Sequence, residues 1–148
     1  MTLEFLCTLQ ITDIGIQFRL FGEEFSSPWK DLSLLQGFNS QRVVDVDHVL
    51  QDFDRQKFWK EISGLNEFHR PRTNDIQYPT LRFLHKCLGF SMFPRPDTRP
   101  VWTDDLKLLY ANVKRAKVSP VKFIVCHWLE VFTLTGDVEC TSLVTRIA

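Results

Sequence analysis

Histidine and cysteine are the residues of this 148-residue chain best suited to metal binding or nucleophilic catalysis. They lie side by side only in Cys126-His127 and in His85-Lys86-Cys87. Neighbours on a helix point about 100 to 200 degrees apart, so neither group can chelate a metal by itself. A structural zinc site also needs closely spaced ligands, and the sequence has no C-x-x-C pair. We therefore expect no metal and no cofactor, with a Cys-His nucleophilic site as the alternative.

Two acidic motifs could indicate carboxylate chemistry. Asp104-Asp105 could bind a metal for phosphoryl transfer, but both also fit the first turn of a helix capped by Thr103, where negative charge is favourable. Thr135-Gly136-Asp137 has the residues of an aspartic protease loop in the wrong order and indicates a helix end. The glycines are isolated, so no phosphate-binding loop is present. We expect no catalytic residues, no small-molecule substrate and no enzymatic activity.

Positive charge is concentrated in the second half of the chain, although the formal net charge is zero. Between Arg82 and Lys122, nine basic side chains face three acidic ones, a local excess of six. Such an excess attracts polyanions and predicts weak RNA or DNA binding by the basic segment 95–122. The residues concerned are Arg95, Arg99, Lys114, Arg115 and Lys117. The alternative is an ordinary solvated surface, since nucleic-acid domains usually have a pI above about 9 and this chain has one near 6.9.

Aromatic residues are the other compositional feature: thirteen Phe and four Trp against two Tyr. So much apolar aromatic surface must be buried in a core or against a partner. Trp128 and Phe132 lie on the broad apolar stripe of a helix that follows Ser119-Pro120. We expect these two residues to contact a second copy of the chain in a homo-oligomer.

The four cysteines are scattered, and the first residues have no basic stretch of the kind that begins a signal peptide. No apolar run approaches the roughly 18 to 20 residues of a membrane span. These features favour an intracellular protein with reduced thiols, cytoplasmic or nuclear, neither secreted nor bound to a membrane.

The first part of the chain predicts a strand, turn and helix unit. A short helix begins at Thr2, and apolar alternation from Ile14 to Leu20 predicts a strand. After a turn at Gly22, a second short strand passes through Phe25. Ser27 then caps a helix that has Pro28 at its first position and that ends at Gly37.

Capping residues predict the remaining helices. Asp45 and Asp54 begin two short helices, or one bent helix, that end at Gly64. A loop or linker follows over about 65–78. Helices then begin at Pro79, Thr103 and Ser119-Pro120, and the proline-rich segment 93–97 is not helical. The expected fold is mainly α (α+β), with about six helices and a small N-terminal β-hairpin in a single domain, 1–148.

Five blocks of sequence, in order, carry a resemblance to a known family. They are Thr2-Leu3-Glu4-Phe5-Leu6, Phe18-Arg19-Leu20-Phe21-Gly22, Leu34-Leu35-Gln36-Gly37-Phe38, Leu81-Arg82-Phe83-Leu84-His85-Lys86 and Leu108-Leu109-Tyr110-Ala111. With these blocks the chain resembles the central part of the first-reading-frame, gag-like protein of Athila-type gypsy retrotransposons of plants. The plant mobile domain of putative plant transposon proteins is a near neighbour, with a similar strand, turn and helix unit.

The resemblance implies a non-enzymatic structural or interaction protein that accompanies element RNA, without catalytic residues to carry over. In that family the first block lies well inside a longer protein, whereas here it follows Met1. We therefore expect a retrotransposon-derived domain truncated at its N-terminus. A nucleic-acid-binding module and a non-functional remnant of a larger element protein are the alternatives.

Overall fold

Helices account for most of the regular structure, and a small sheet lies near the N-terminus, as the sequence predicts. The computed structural model describes residues 2–135. Within that range the chain forms two compact units, one of residues 2–44 with 119–135 and the other of Asp45–Val118. The division does not fall in the expected linker, because 65–78 lies inside the second unit. That all of the chain acts as a single domain stays a prediction.

The first unit is built on a three-stranded antiparallel sheet. Helix α1 (Thr2–Thr8) leads into β1 (Gln10–Ile11), β2 (Gly15–Leu20) and β3 (Glu23–Pro28), which pair in the order β1-β2-β3. The predicted hairpin is therefore confirmed as β2 and β3. Strand β1 was not foreseen, because two residues are too few to show alternation.

Alternation along β2 gives the sheet one buried face. Ile16, Phe18 and Leu20 are buried, and the ring of Phe5 from α1 meets that of Phe18 edge-on at 4.9 Å. The carboxylate of Glu4 accepts hydrogen bonds from the N–H groups of Phe21 and Gly22 at 2.9 and 2.8 Å. Helix α1 thus holds both the inner face of the sheet and its β2–β3 turn.

Two helices complete the first unit, α2 (Trp29–Leu35) and α7 (Val121–Thr135). The predicted cap of α2 was wrong by one residue: Ser27 and Pro28 belong to β3, and α2 begins at Trp29. The reason is strand pairing, which continues through Gly15 opposite Pro28. The apolar stripe of α7 is confirmed as core, with these residues buried: Val121, Ile124, Val125 and Trp128. The hydroxyl groups of Ser33 and Ser119 meet at 2.7 Å inside this unit.

The second unit contains four α-helices: α3 (Val46–Val49), α4 (Arg55–Ser63), α5 (Pro79–Cys87) and α6 (Thr103–Val113). The caps at Asp45 and Asp54 are confirmed, since each carboxylate accepts from a backbone N–H three residues on. Gly64 ends α4 at φ 75°, in the left-handed region that glycine adopts readily. The structure therefore has two short helices here and not one bent helix.

Shorter elements position the polar side chains of this unit. A 3₁₀ turn at Thr73–Asp75 lies within the segment expected to be a loop, and a π-helical turn at Leu88–Met92 continues α5. An antiparallel bridge between Arg72 and Pro100 holds the proline-rich loop after α5 against the 3₁₀ turn. Helix α6 begins at Thr103, and its N-cap is Trp102. The prediction that Thr103 is the N-cap was therefore wrong by one residue.

No helix in residues 2–135 combines the length and the apolar character that a membrane crossing requires.

Replacing Gly15 by alanine should destabilise the first unit. An added Cβ would lie 2.1 Å from the carbonyl oxygen of Ser27, so β2 and β3 would have to separate locally. We expect a loss of about 3 kcal/mol in the free energy of unfolding, measured by urea titration with circular dichroism. The control is Gly22→Ala, where the new methyl group meets no neighbour and only the positive φ opposes it, at about 1 kcal/mol. Equal losses in the two variants would contradict the steric explanation.

Candidate functional site

A polar cavity of about 470 Å³ is lined by residues of α1 and of all three strands. Gln10, Gln17 and Ser26 contribute hydrogen-bonding groups, and Arg19 and Glu24 on the lining form an ion pair at 2.8 Å. The lining residues offer donors and acceptors for a polar ligand or for a strand backbone. They include neither a histidine nor a second carboxylate, so this lining lacks an acid–base pair.

The most elaborate polar arrangement is buried in the second unit, around His85 on α5. Its Nδ1 lies 2.9 Å from the Thr73 hydroxyl, and its Nε2 lies 3.1 Å from Oδ2 of Asp105 on α6. The Thr73 hydroxyl also reaches the backbone carbonyls of Thr98 and Arg99, at 3.0 Å each. The 3₁₀ turn, α5, α6 and the proline-rich loop therefore meet at one imidazole ring.

Arg95 completes this buried network. Its Nη2 donates to Oδ2 of Asp105 at 2.7 Å, and only 4% of its side chain is exposed. The guanidinium carbon lies 4.2 Å from the centre of the Trp102 ring, a cation–π contact. The backbone N–H of Trp102 donates to the same carboxylate oxygen at 2.8 Å. The buried carboxylate therefore has a guanidinium partner and a backbone donor, two contacts that offset part of the cost of burying its charge.

The environment of Asp105 acts on its ionisation in two opposing ways. Burial alone would raise the pKa of Asp105, but hydrogen bonds from His85, the Trp102 N–H and Arg95 together lower it below the ordinary value of 3.8. The carboxylate is therefore the charged form in the folded protein near neutral pH. Its other oxygen, Oδ1, and the Nε and Nη1 atoms of Arg95 are buried without a hydrogen-bond partner among the described residues.

Thr73, His85 and Asp105 stand in the order of a hydrolase triad, hydroxyl to imidazole to carboxylate. All three side chains are buried, and the cavity on the sheet is lined by other residues. A triad works only when its nucleophile reaches a substrate. In this arrangement the network ties segments of the fold together. The sequence analysis did not predict this network, because its members come from separate segments of the chain. It did single out the Asp104-Asp105 pair, which contains one member of the network.

The residues predicted to bind nucleic acid occupy different environments. Arg95 is buried in the network, whereas Arg99 is exposed and forms a two-point ion pair with Asp97. The hydrogen bonds from Arg99 lower the pKa of Asp97 to about 2. Lys114, Arg115 and Lys117 are exposed together at the C-terminal end of α6. Four of the five cations are therefore at the surface, and binding by them stays a prediction.

The residues predicted to mediate self-association lie on α7. Trp128 is buried, as part of the core stripe of the first unit. Phe132 lies in the last turn of α7, and its side chain falls outside the described part of the structure. Neither placement tests self-association itself. Exposed aromatic side chains occur elsewhere, most clearly Phe21, Phe83 and Phe90, which are 77%, 69% and 72% exposed.

Of the two cysteine and histidine motifs, Cys126-His127 belongs to the first unit and His85-Lys86-Cys87 to the second. Cys126 is exposed and His127 is buried on α7, and Cys7 and Cys87 are free thiols. Cys140 lies outside the described residues. In residues 2–135 no three side chains of His, Cys, Asp or Glu come together in a way that could hold a metal ion.

Comparison with known proteins gives one match. A family model described as the ATHILA ORF-1 family matches residues 2–116. No curated protein and no solved structure matches the chain. The match covers the whole sheet and the buried network, and it includes all five sequence blocks on which the resemblance depends.

Replacing Asp105 by asparagine should destabilise the second unit, because Arg95 would keep a buried charge without its partner. We expect a loss of about 3 to 5 kcal/mol at pH 7 in urea titrations. The pKa of Asp105 is lowered in the folded state, so its contribution is complete above the ordinary pKa of 3.8 and declines as the pH falls further. The Asp105→Asn variant should therefore lose less stability than the wild type as the pH falls from about 4 to about 2.

The matched control is Asp104→Asn, which removes the same charge from the exposed neighbouring position. It should change the free energy of unfolding by about 0.5 kcal/mol or less. Equal effects of the two substitutions would contradict a structural role for the buried ion pair.

Proposed function

Because the chain belongs to the ATHILA ORF-1 family of retrotransposon-derived proteins, we propose that it is a non-enzymatic, gag-like structural protein. In this proposal it associates with further copies of itself and accompanies the RNA of the element. Family membership supports an origin of the chain in a retrotransposon. The gag-like role is supported by exposed aromatic and basic side chains.

The observation that carries the proposal is the exposed aromatic pair on the segment formed by α5 and its π turn. Phe83 lies on α5, Phe90 lies seven residues further on in the π turn that continues it, and both are largely exposed. Lys86 is exposed between them. Large exposed apolar side chains on one continuous helical segment, with polar groups beside them, are typical of protein–protein contacts. We assign this aromatic surface to contact with a second copy of the chain.

The absence of catalysis in this proposal follows from where the reactive groups lie. The imidazole of His85 and the Thr73 hydroxyl are buried and engaged in hydrogen bonds. The open cavity on the sheet is lined by one ion pair, several amide and hydroxyl groups and the Cys7 thiol, and its lining has no histidine to activate that thiol. A lining of this kind is better suited to binding a polar ligand than to catalysing a reaction.

Nucleic-acid binding by the exposed cations is the second candidate, and the Arg72–Pro100 bridge favours it. That bridge places Arg72 in the same surface region as Arg99, and the charge of Arg72 contributes to the lowered pKa of Asp97. Arg72 was not among the residues predicted from the sequence, because it lies in the earlier loop. Lys114 and Arg115 are further exposed cations of the second unit, and exposed cations attract phosphate groups.

The self-association proposal predicts a mass that depends on concentration. At high concentration, light scattering of the wild type should give a weight-average mass well above the 17.4 kDa of one chain. Replacing both Phe83 and Phe90 by serine should lower that mass while leaving the thermal melt unchanged, because both side chains are exposed. The control is Ile14→Ser, which removes a side chain that is 79% exposed in the first unit. A wild type that stays monomeric would overturn the proposal.

The nucleic-acid candidate predicts binding that weakens with salt. Replacing Lys114 and Arg115 by glutamine should reduce RNA affinity and lower the salt slope by about 1 to 2. The comparison variant replaces Lys57 and Lys60 on α4 by glutamine and removes the same charge elsewhere. Fluorescence anisotropy with a single-stranded RNA provides the measurement. Equal losses in the two variants would indicate a general charge effect and would contradict a site at the end of α6.

A further inference from the structure

Strand β3 has an unpaired outer edge. It is the last strand in the order β1-β2-β3, and no other element in residues 2–135 pairs with it. Five of its six residues are exposed, and Ser27 is half-buried. A free edge presents backbone N–H and C=O groups that can pair with another strand.

The hydrogen-bonding pattern identifies the groups on that edge. Trp29 donates its N–H to the carbonyl of Ile14 at 3.0 Å, which makes these two residues a hydrogen-bonded pair of the antiparallel ladder. Hydrogen-bonded and non-hydrogen-bonded pairs alternate, so the backbone groups of Ser27 and Phe25 point toward β2. Those of Ser26 and Glu24 therefore point outward. Outward positions continue to Pro28, which has a carbonyl but no N–H.

We propose that β3 pairs with β3 of a second copy of this chain, antiparallel and across a two-fold axis at Ser26. In this register each Ser26 N–H donates to the Ser26 carbonyl of the other copy. Each Glu24 N–H donates to the Pro28 carbonyl of the other copy. Because Pro28 has no N–H, the Glu24 carbonyl at the end of the ladder lacks a donor in each copy. The product is a six-stranded sheet that runs through both copies.

The charges along β3 favour a second copy in this orientation. Glu23 and Glu24 begin the strand, and Lys30 follows its end. Antiparallel pairing places the acidic end of one strand beside the Lys30 end of the other. Parallel, in-register stacking would instead place each glutamate beside its own equivalent, which is destabilising. The charges thus oppose fibre-like stacking while permitting the two-fold pair.

The two-fold contact uses the β3 edge of both copies, so it limits the assembly to two copies. On the other side of the sheet, β2 is already paired with β1. Beyond β1, the Thr8 hydroxyl accepts from the Arg19 N–H at 2.8 Å, and Glu4 accepts from the N–H groups of Phe21 and Gly22. The opposite edge is the two-residue strand β1, which is too short for an extended ladder, so the isologous contact through β3 gives a dimer.

This contact is separate from the aromatic surface on α5, and it rests on the proposed function only in requiring a second copy. A protein with two different self-contacts can build assemblies larger than a dimer. The two contacts can be tested independently, since Phe83 and Phe90 lie in the second unit and β3 lies in the first.

The experiment uses the Phe83→Ser, Phe90→Ser double variant, in which the aromatic contact is removed. Light scattering should give a mass that rises toward twice 17.4 kDa with concentration. Adding Ser26→Pro removes the central outward N–H without removing a bond to β2, and it should restore the monomer. Adding Ser26→Ala keeps the backbone donor and should leave the dimer intact. Circular dichroism melts of all variants establish that the sheet remains folded.

Amide hydrogen exchange of the wild type provides a second readout that needs no substitution. As the concentration rises, the amides of Glu24 and Ser26 should exchange at least about tenfold more slowly. Those of Phe25 and Ser27 should change little, because β2 already protects them. Unchanged exchange at Ser26, or a dimer that persists in the folded Ser26→Pro variant, would overturn the β3 contact. An edge that is protected only by an added foreign peptide would overturn it as well.

These outcomes separate the two proposals. If the wild type self-associates and Ser26→Pro has no effect, the β3 contact fails while the proposed function stands. If serine at 83 and 90 changes nothing but Ser26→Pro abolishes association, the aromatic surface fails and the β3 contact stands.

Discussion

The second unit depends on one buried carboxylate. Asp105 accepts hydrogen bonds from Arg95 and from the backbone of Trp102, and it faces the imidazole of His85. Because an unpaired buried charge is costly, each of these partners is fixed in place once Asp105 is enclosed. The proline-rich loop has little regular structure of its own, yet it is held by Arg95 and by the carbonyls that meet Thr73. A polar network therefore defines a loop that apolar packing alone would leave unspecified.

In the first unit, side chains of α1 accept hydrogen bonds from backbone groups that a longer β1 strand would otherwise pair. Strand β1 covers only two residues of β2, and the hydroxyl of Thr8 and the carboxylate of Glu4 satisfy the backbone donors beyond it. The opposite edge has no such cover in the described chain. The sheet thus ends in the two-residue β1 on one side and in the six-residue β3 on the other, and this difference in length makes β3 the edge suited to pairing.

The candidate residues show where local reasoning succeeds. Asp45, Asp54 and Gly64 were identified correctly as helix boundaries because capping depends on neighbours within a few residues. Arg95 was grouped with the surface cations because a sequence gives its charge but not its burial. Its partner Asp105 is ten residues away, and the carboxylate becomes accessible to it only when the loop folds back onto α6. The explanation of Asp105 as a favourable charge in the first turn of a helix was therefore incomplete. Its side chain also accepts hydrogen bonds from the backbone of Trp102, the N-cap of α6, and from the guanidinium of Arg95.

The sequence by itself determined the class of fold, most of the element boundaries and the family, because periodicity, capping and short sequence blocks are local properties of the chain. Tertiary structure decided which polar groups are buried and which strand edge is free. It enclosed His85 and Arg95, exposed Phe83 and Phe90, and left β3 at the border of its sheet. Burial and pairing depend on contacts between segments far apart along the chain, and no local pattern encodes those contacts.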